Sequence, residues 1–201
     1  MPLLPAAILL VTFGFVVMSL ELLSSNMMAP YFGSSIYVWG SVISTFMIHM
    51  SLGYVLGGYL SKRLGKLWPL LIILIGGCLY AIMIPWIIRP VGAFMSDLIS
   101  DERLGSLATM SILFFPPVIT MAMVSPWIIG LMARTRTISG LSGGVVMFLS
   151  TLGSFLGTIL TSFFFIDWAP ISRIVRVEGG VALLVCVVIL VLRPDRFIKN
   201  G

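Results

Sequence analysis

The sequence predicts an all-α integral membrane protein of six transmembrane helices, built as two inverted three-helix repeats. Three observations carry this. Of 201 residues, 59% are hydrophobic and only 9% charged, against roughly 25% charged in an ordinary soluble domain. The mean hydropathy is +1.15. Six long runs free of charge divide the chain, and at roughly 20 apolar residues per membrane-spanning helix such a length holds six spans and short connections. That composition excludes a soluble enzyme and a disordered tail, since disorder needs low hydrophobicity and high charge.

The runs place spans at residues 3–24, 36–60, 68–88, 107–132, 142–166 and 177–192 of a single domain covering 1–201. The first run lacks a basic leader and an A-x-A cleavage site, so it reads as a retained helix and not as a signal peptide. Ala29-Pro30 with Gly33-Ser34-Ser35 punctuates the connection to the second span. Lys62-Arg63-Leu64-Gly65-Lys66 closes the second span, and Arg134-Thr135-Arg136 and Asp167-Trp168-Ala169-Pro170 flank the fifth. The stretch 89–106 is the longest connection. There Val91, Phe94, Met95, Leu98 and Ile99 interleave with Asp97, Asp101, Glu102 and Arg103, a spacing that suits a short amphipathic helix on the membrane surface.

An even number of spans puts both termini on one side, and the Lys/Arg balance assigns that side. The side of the termini holds Lys62, Arg63, Lys66, Arg134, Arg136, Arg193, Arg196 and Lys199 against Asp195, a net +7. The other side holds Arg89, Arg103, Arg173 and Arg176 against Asp97, Asp101, Glu102, Asp167 and Glu178, a net −1. With Glu21 inside the first span these complete the formal +5. Cytoplasmic termini in a cell (inner) membrane follow. Because the twelve bases are scattered among six apolar runs, no continuous basic stripe exists to track nucleic-acid phosphates.

An internal repeat is visible at an offset of 100 residues. Ser51-Leu52-Gly53-Tyr54-Val55-Leu56-Gly57 in the second span matches Thr151-Leu152-Gly153-Ser154-Phe155-Leu156-Gly157 in the fifth, and Leu60 matches Leu160. A three-helix unit repeated once must flip across the membrane, which pairs span two with span five. Glycines four apart (Gly53 with Gly57, Gly153 with Gly157) leave a smooth stripe along which helices pack closely.

From here the sequence is similar to a known family. Gly58-Tyr59-Leu60-Ser61-Lys62-Arg63-Leu64-Gly65-Lys66 resembles the loop between the second and third helices of major facilitator transporters, departing at Lys62, where that family carries an acid. More of the chain resembles the membrane domain of fused major-facilitator/spermidine-synthase-like proteins. The residues that carry this are Glu21-Leu22, Ala29-Pro30-Tyr31-Phe32-Gly33-Ser34-Ser35 with Val38-Trp39, Ser51-Leu52-Gly53-Tyr54, Gly57-Gly58, Pro116-Pro117, Met123-Val124-Ser125-Pro126 and Ser150-Thr151-Leu152-Gly153-Ser154. The resemblance implies half of a major-facilitator-like bundle. In that family a soluble aminopropyltransferase-like Rossmann domain follows the helices. Its glycine-rich turn and acidic proton acceptor are missing from these residues, so no catalytic residue carries over. What it implies is a membrane module whose catalytic half is a separate polypeptide or has been lost.

Four residues are candidates for ligand binding. Glu21 is read as the acid within a span, near the outer end of the first helix, facing either a cationic ligand such as a polyamine ammonium, a proton, or a structural partner. His49, the lone histidine, lies mid-span. One imidazole does not make a metal site, so it reads as a hydrogen-bond donor to a neighbouring helix or as a proton or ligand contact. Tyr31 belongs to an aromatic group with Tyr37 and Trp39 that forms either an interfacial belt or, through Ala29–Gly33, a re-entrant turn over a cavity. Pro126, with Pro116 and Pro117, bends the fourth span, and such bends line substrate sites in transporters as well as merely curving bundles. Cys78 and Cys186 lie in apolar runs and read as core residues, and the thirteen Met are dispersed as packing.

These readings predict no cofactor, no metal and no catalysis by this chain alone. Three functions stay open. One is a membrane subunit or anchor acting with a soluble Rossmann-like synthase and binding a polyamine-like or amphipathic ligand. The others are a small homodimeric transporter of a cationic solute, and a non-catalytic accessory subunit of a larger membrane complex such as a respiratory one.

Overall fold

A computed structural model describes residues 3–135 and 140–192. The first three spans are single helices: α1 (Leu3–Phe32), α2 (Ile36–Leu64) and α3 (Trp68–Leu98). The fourth combines α4 (Glu102–Ala122) and α5 (Val124–Thr135). The fifth runs through α6 (Gly140–Leu160), a π-helical turn (Thr161–Phe165) and α7 (Ile166–Trp168), and the sixth is α8 (Ile171–Val191). No strand occurs among the described residues, and six helical stretches are long and apolar enough to cross a membrane. The chain is therefore a multi-pass membrane protein whose surroundings are lipid.

The helices outrun the charge-free runs, because a helix satisfies its own backbone and in lipid nothing rewards ending it. α1 continues through Pro30 and stops only at Gly33, whose positive φ of 77° ends the helix while its N–H bonds Ala29 O at 3.0 Å. Residues 29–32 are thus the last turn of a helix, so of the two readings of this segment the re-entrant turn does not form. Likewise α3 runs through Pro85 and Pro90 to Leu98, so most of the stretch read as a surface segment extends the third span. Asp101 then caps α4, accepting from the Arg103 N–H at 2.8 Å. α8 starts at Ile171, six residues before the expected boundary, which carries Arg173, Arg176 and Glu178 into the sixth helix.

Packing follows a regular scheme. α1 lies along α6, and α2 lies along α4 and α5. α3 packs on α8 and α4, and α8 also touches α1. The glycine stripes make the two tightest crossings. A Cβ on Gly53 would sit 2.6 Å from Ile119 O, and one on Gly57 2.7 Å from Met123 O. On the other side, Cβ atoms on Gly153 and Gly157 would collide with the backbone carbonyls of Val11 and Phe15, and one on Gly14 with that of Ser150. All four repeat glycines are thus consumed in contacts within the chain. The fourth span breaks at Met123, between α4 and α5, and not at Pro116-Pro117. There Thr120 Oγ1 donates back to the carbonyls of Pro116 and Pro117, at 3.0 and 2.9 Å. Pro126 falls in the first turn of α5, the part of a helix that best tolerates proline.

At the basic end of the bundle the loop after α2 is pinned. Gly65 adopts the left-handed conformation (φ 61°) with its N–H on Ser61 O. The fully buried Trp127 donates from Nε1 to Lys66 O at 3.0 Å, and Arg134 donates to Lys62 O. Arg136, Arg193, Arg196, Lys199 and Asp195 of the charge balance lie outside the described residues. At the opposite end, Arg103 covers the Tyr37 ring at 3.9 Å and Ser35 donates to Glu102 at 3.3 Å.

Candidate functional site

The four ligand candidates do not converge. Glu21 is half-buried on α1, and because α1 reaches Phe32 it sits eleven residues, about 16 Å, short of the C-terminal end of the helix rather than near it. Tyr31 packs its ring against Gly92 of α3, where a Cβ would come within 2.7 Å of it. Pro126 lies close to Gly58 on α2, at 4.0 Å from a Cβ placed there. His49 is buried, 3% exposed, and meets Phe115 edge-on with ring centroids 5.2 Å apart. Its Nδ1 is buried without a hydrogen-bond partner. None of the four lines the crevices described below.

A different cluster is built in the bundle. Glu178, 6% exposed on α8, accepts a hydrogen bond from Ser19 of α1 at 2.7 Å on Oε1. Ser19 Oγ is in turn 2.7 Å from Thr161 Oγ1, at the start of the π-helical turn, and both hydroxyl residues are fully buried. With the single Ser19 proton given to Glu178, Thr161 is the donor to Ser19. The chain of bonds ties three spans together around one carboxyl group. Its second oxygen, Oε2, is buried without a partner, and among the described residues no cation pairs with it. A buried carboxyl in a membrane helix is expensive and ordinarily has a function or a partner.

Local sequence explains the placement. On α8 the buried positions Ile174, Glu178, Ala182, Cys186 and Ile189 recur at three and four residues, one face of a helix. Glu178 stands on that face, and Gly179 beside it packs against Ile82 of α3. Reading Glu178 as an outer-loop acid is therefore corrected: it lies two turns inside the sixth helix, and Glu21 is not the lone intramembrane acid. The signal was present in the sequence, since Glu178 shares its stripe with the apolar residues that follow. The π turn, with its extra residue per turn, sets Thr161 toward α1 and leaves Phe163 and Phe164 toward lipid.

Beside Glu178 a crevice of about 330 Å³ opens between α1, the π turn and α8, walled by Val11, Thr12, Phe15, Phe165, Val177 and Val181. Phe15 and Phe165 meet there with centroids 6.2 Å apart. A smaller space of about 180 Å³ adjoins it toward Trp168 and Arg173. On another face, between α1, α2, α5 and α6, a narrow cleft of about 30 Å³ is lined by Tyr54, Ser125, Ser150 and Ser154, where Ser154 donates to Ser150 O at 3.1 Å. Cys78 and Cys186 are both buried and free. No group of three or more His, Cys, Asp or Glu able to hold a metal occurs among the described residues.

Comparison of the chain with protein-family models, with characterised proteins and with solved structures gives no match.

Proposed function

We propose that this chain is a membrane module that works with a second protein chain, resembling the transmembrane half of spermidine-synthase-like fused proteins. The observation that carries the reading is the face formed by α1, α2, α5 and α6. There the hydroxyls of Tyr54, Ser125, Ser150 and Ser154 line a cleft. On the same side α6 is the least enclosed of the six spans, with Phe148 and Phe155 largely exposed. Polar groups facing lipid are unfavourable, and a wall of serines beside exposed aromatic residues suits a covering chain better than acyl tails.

Half a major-facilitator-like bundle is supported by the packing. Span one lies on span five as span four lies on span two, and span three pairs with span six. The correspondence extends to residues: Gly53 and Gly57 rest on Ile119 and Met123, while Gly153 and Gly157 rest on Val11 and Phe15, the same spacing of four in each case. That is the pattern two inverted three-helix units generate. Such a half bundle supplies one wall of a cavity, and a partner supplies the other.

The basic end is a second docking element in this reading. The backbone at Lys62 and Lys66 is held by Arg134 and Trp127, which keeps Lys62, Arg63 and Lys66 together as a cluster of positive charge that the Lys/Arg rule assigns to the cytoplasm of an inner membrane. A soluble Rossmann-like synthase with an acidic face fits it. Of the polyamine-like and amphipathic ligands, the amphipathic one has room beside Glu178, where the crevice measures about 330 Å³.

Mild extraction into nanodiscs at native expression, followed by mass spectrometry of bound proteins, tests this. A stoichiometric soluble synthase-like chain is the expected result. A homodimer alone would replace this reading with a small transporter, and a set of respiratory or other complex subunits would make the chain an accessory helix bundle.

A further inference from the structure

We propose that the crevice at Glu178 is a binding site for a single-headed amphipathic amine that enters from the lipid phase, its ammonium on Glu178 Oε2 and its alkyl chain between α1 and α8. The inference does not depend on the presence of a partner chain. It rests on three features found together. Glu178 is 94% withdrawn from the surface, with one oxygen bonded by Ser19 and the other unpartnered. The space beside it, about 330 Å³, falls in the range of roughly 300–1,000 Å³ typical of small-molecule sites. Its walls, chiefly Val11, Phe15, Phe165, Val177 and Val181, are apolar, so they solvate an alkyl chain and nothing more polar.

The chemistry selects the ligand class. An anion offers no proton to Oε2 and is repelled when Glu178 is ionised, and a lipid without a donor leaves that buried oxygen unpartnered. An ammonium pairs with Oε2 while Ser19, itself held by Thr161, donates to Oε1, which satisfies both oxygens. A polyamine fits poorly, because each further ammonium would be buried against valine and phenylalanine with no second acid to meet it. Arg173 lies five residues toward the outer end, in the adjoining space, and its guanidinium does not pair with Glu178. The crevice mouth is formed by residues exposed on the membrane-facing surface, such as Val177 and Val181. That gives an amphiphile dissolved in the bilayer a lateral route.

The test is zero-length cross-linking in phosphatidylcholine nanodiscs with the full chain. Dicyclohexylcarbodiimide adds the Glu178 carboxyl O–H across one C=N bond to give an O-acylisourea. A bound primary amine then attacks the acyl carbon and expels dicyclohexylurea, leaving an amide that peptide mass spectrometry reads. With dodecylamine as the probe, the expected product is a dodecylamide on Glu178 at least fivefold above that on Glu21. Spermidine should give none there. Val181→Trp, which fills the crevice from an exposed position without touching Ser19 or Thr161, should lower the yield at least fivefold, and Val188→Trp, at an exposed position of the same helix outside the crevice, should not. Failure to modify Glu178, carbodiimide adduct without amide, equal amide on Glu21, or an unchanged yield in a folded Val181→Trp protein would each overturn the proposal.

Discussion

The glycine crossings allow a prediction that compares two adjacent residues. Gly57 and Gly58 share a helix, a depth and a flanking sequence, yet a Cβ on Gly57 would lie 2.7 Å from Met123 O and 2.8 Å from Met123 Cα, whereas one on Gly58 has its nearest neighbour, Pro126 Cβ, at 4.0 Å. Ordinary contact begins near 3.4 Å, so Gly57→Ala demands that α2 and the fourth span separate by about 0.7 Å. The obstacle is backbone, which no rotamer change removes. Overpacking of this kind costs about 1–3 kcal/mol. Alanine's better helix propensity, roughly 1 kcal/mol over glycine, favours both variants equally and cancels in the comparison. Gly58→Ala should therefore match or exceed the unsubstituted protein, and Gly57→Ala should fall about 1–3 kcal/mol below Gly58→Ala. For a chain of this size each kcal/mol moves the midpoint by about 2–4 °C. Thermal unfolding in nanodiscs followed by the fluorescence of the five tryptophans reads the gap. Coincident midpoints for Gly57→Ala and Gly58→Ala would refute the close crossing and the packing scheme built on it.

Three further outcomes follow. Ser19→Ala strands both Glu178 Oε1 and Thr161 Oγ1, so it should destabilise by about 1–3 kcal/mol. Ser19→Ala/Thr161→Val should then cost less than the sum of the single changes, because the two share one network; additive losses in the same unfolding assay would contradict that chain of bonds. Trp127→Phe keeps the buried ring and removes the donor to Lys66 O. It should lower stability by about 0.5–1.5 kcal/mol and, together with Arg134→Ala, accelerate tryptic cleavage at Lys62, Arg63 and Lys66, and unchanged cleavage kinetics would count against a pinned loop. In a Cys78→Ala/Cys186→Ala background, a membrane-impermeant maleimide applied to intact cells should label Ser34→Cys and not Lys66→Cys. The reverse pattern would invert the orientation assigned from the basic residues.

Much of the architecture is legible without coordinates, since crossing a membrane is governed by a quantity each segment carries by itself: the transfer of some twenty apolar residues into lipid. The six apolar runs each fall in a helical stretch long enough to span a membrane, and the Gly53/Gly57 and Gly153/Gly157 stripes could be picked out by spacing alone. Boundaries were less legible. Proline ends helices in water, where freed carbonyls are hydrated, but Pro30, Pro85 and Pro90 lie inside helices here, because a helix interrupted within lipid would strand more backbone than the proline does.

Which groups meet was decided by the tertiary structure. Ser19, Thr161 and Glu178 are separated by up to 159 residues, and no local pattern relates a serine on one span to a π turn on another. Glu178 looked like a loop acid because it stands at the edge of an apolar run, while its burial comes from α1 and α3 closing over α8. Glu21, the acid that the run pattern singles out, remains half-buried, and among the described residues no side chain bonds its carboxyl group. Hydropathy is a sum over neighbours in the chain and so settles the spans and their number. The environment of a buried charge is a sum over neighbours in space, and only the packed bundle supplies it.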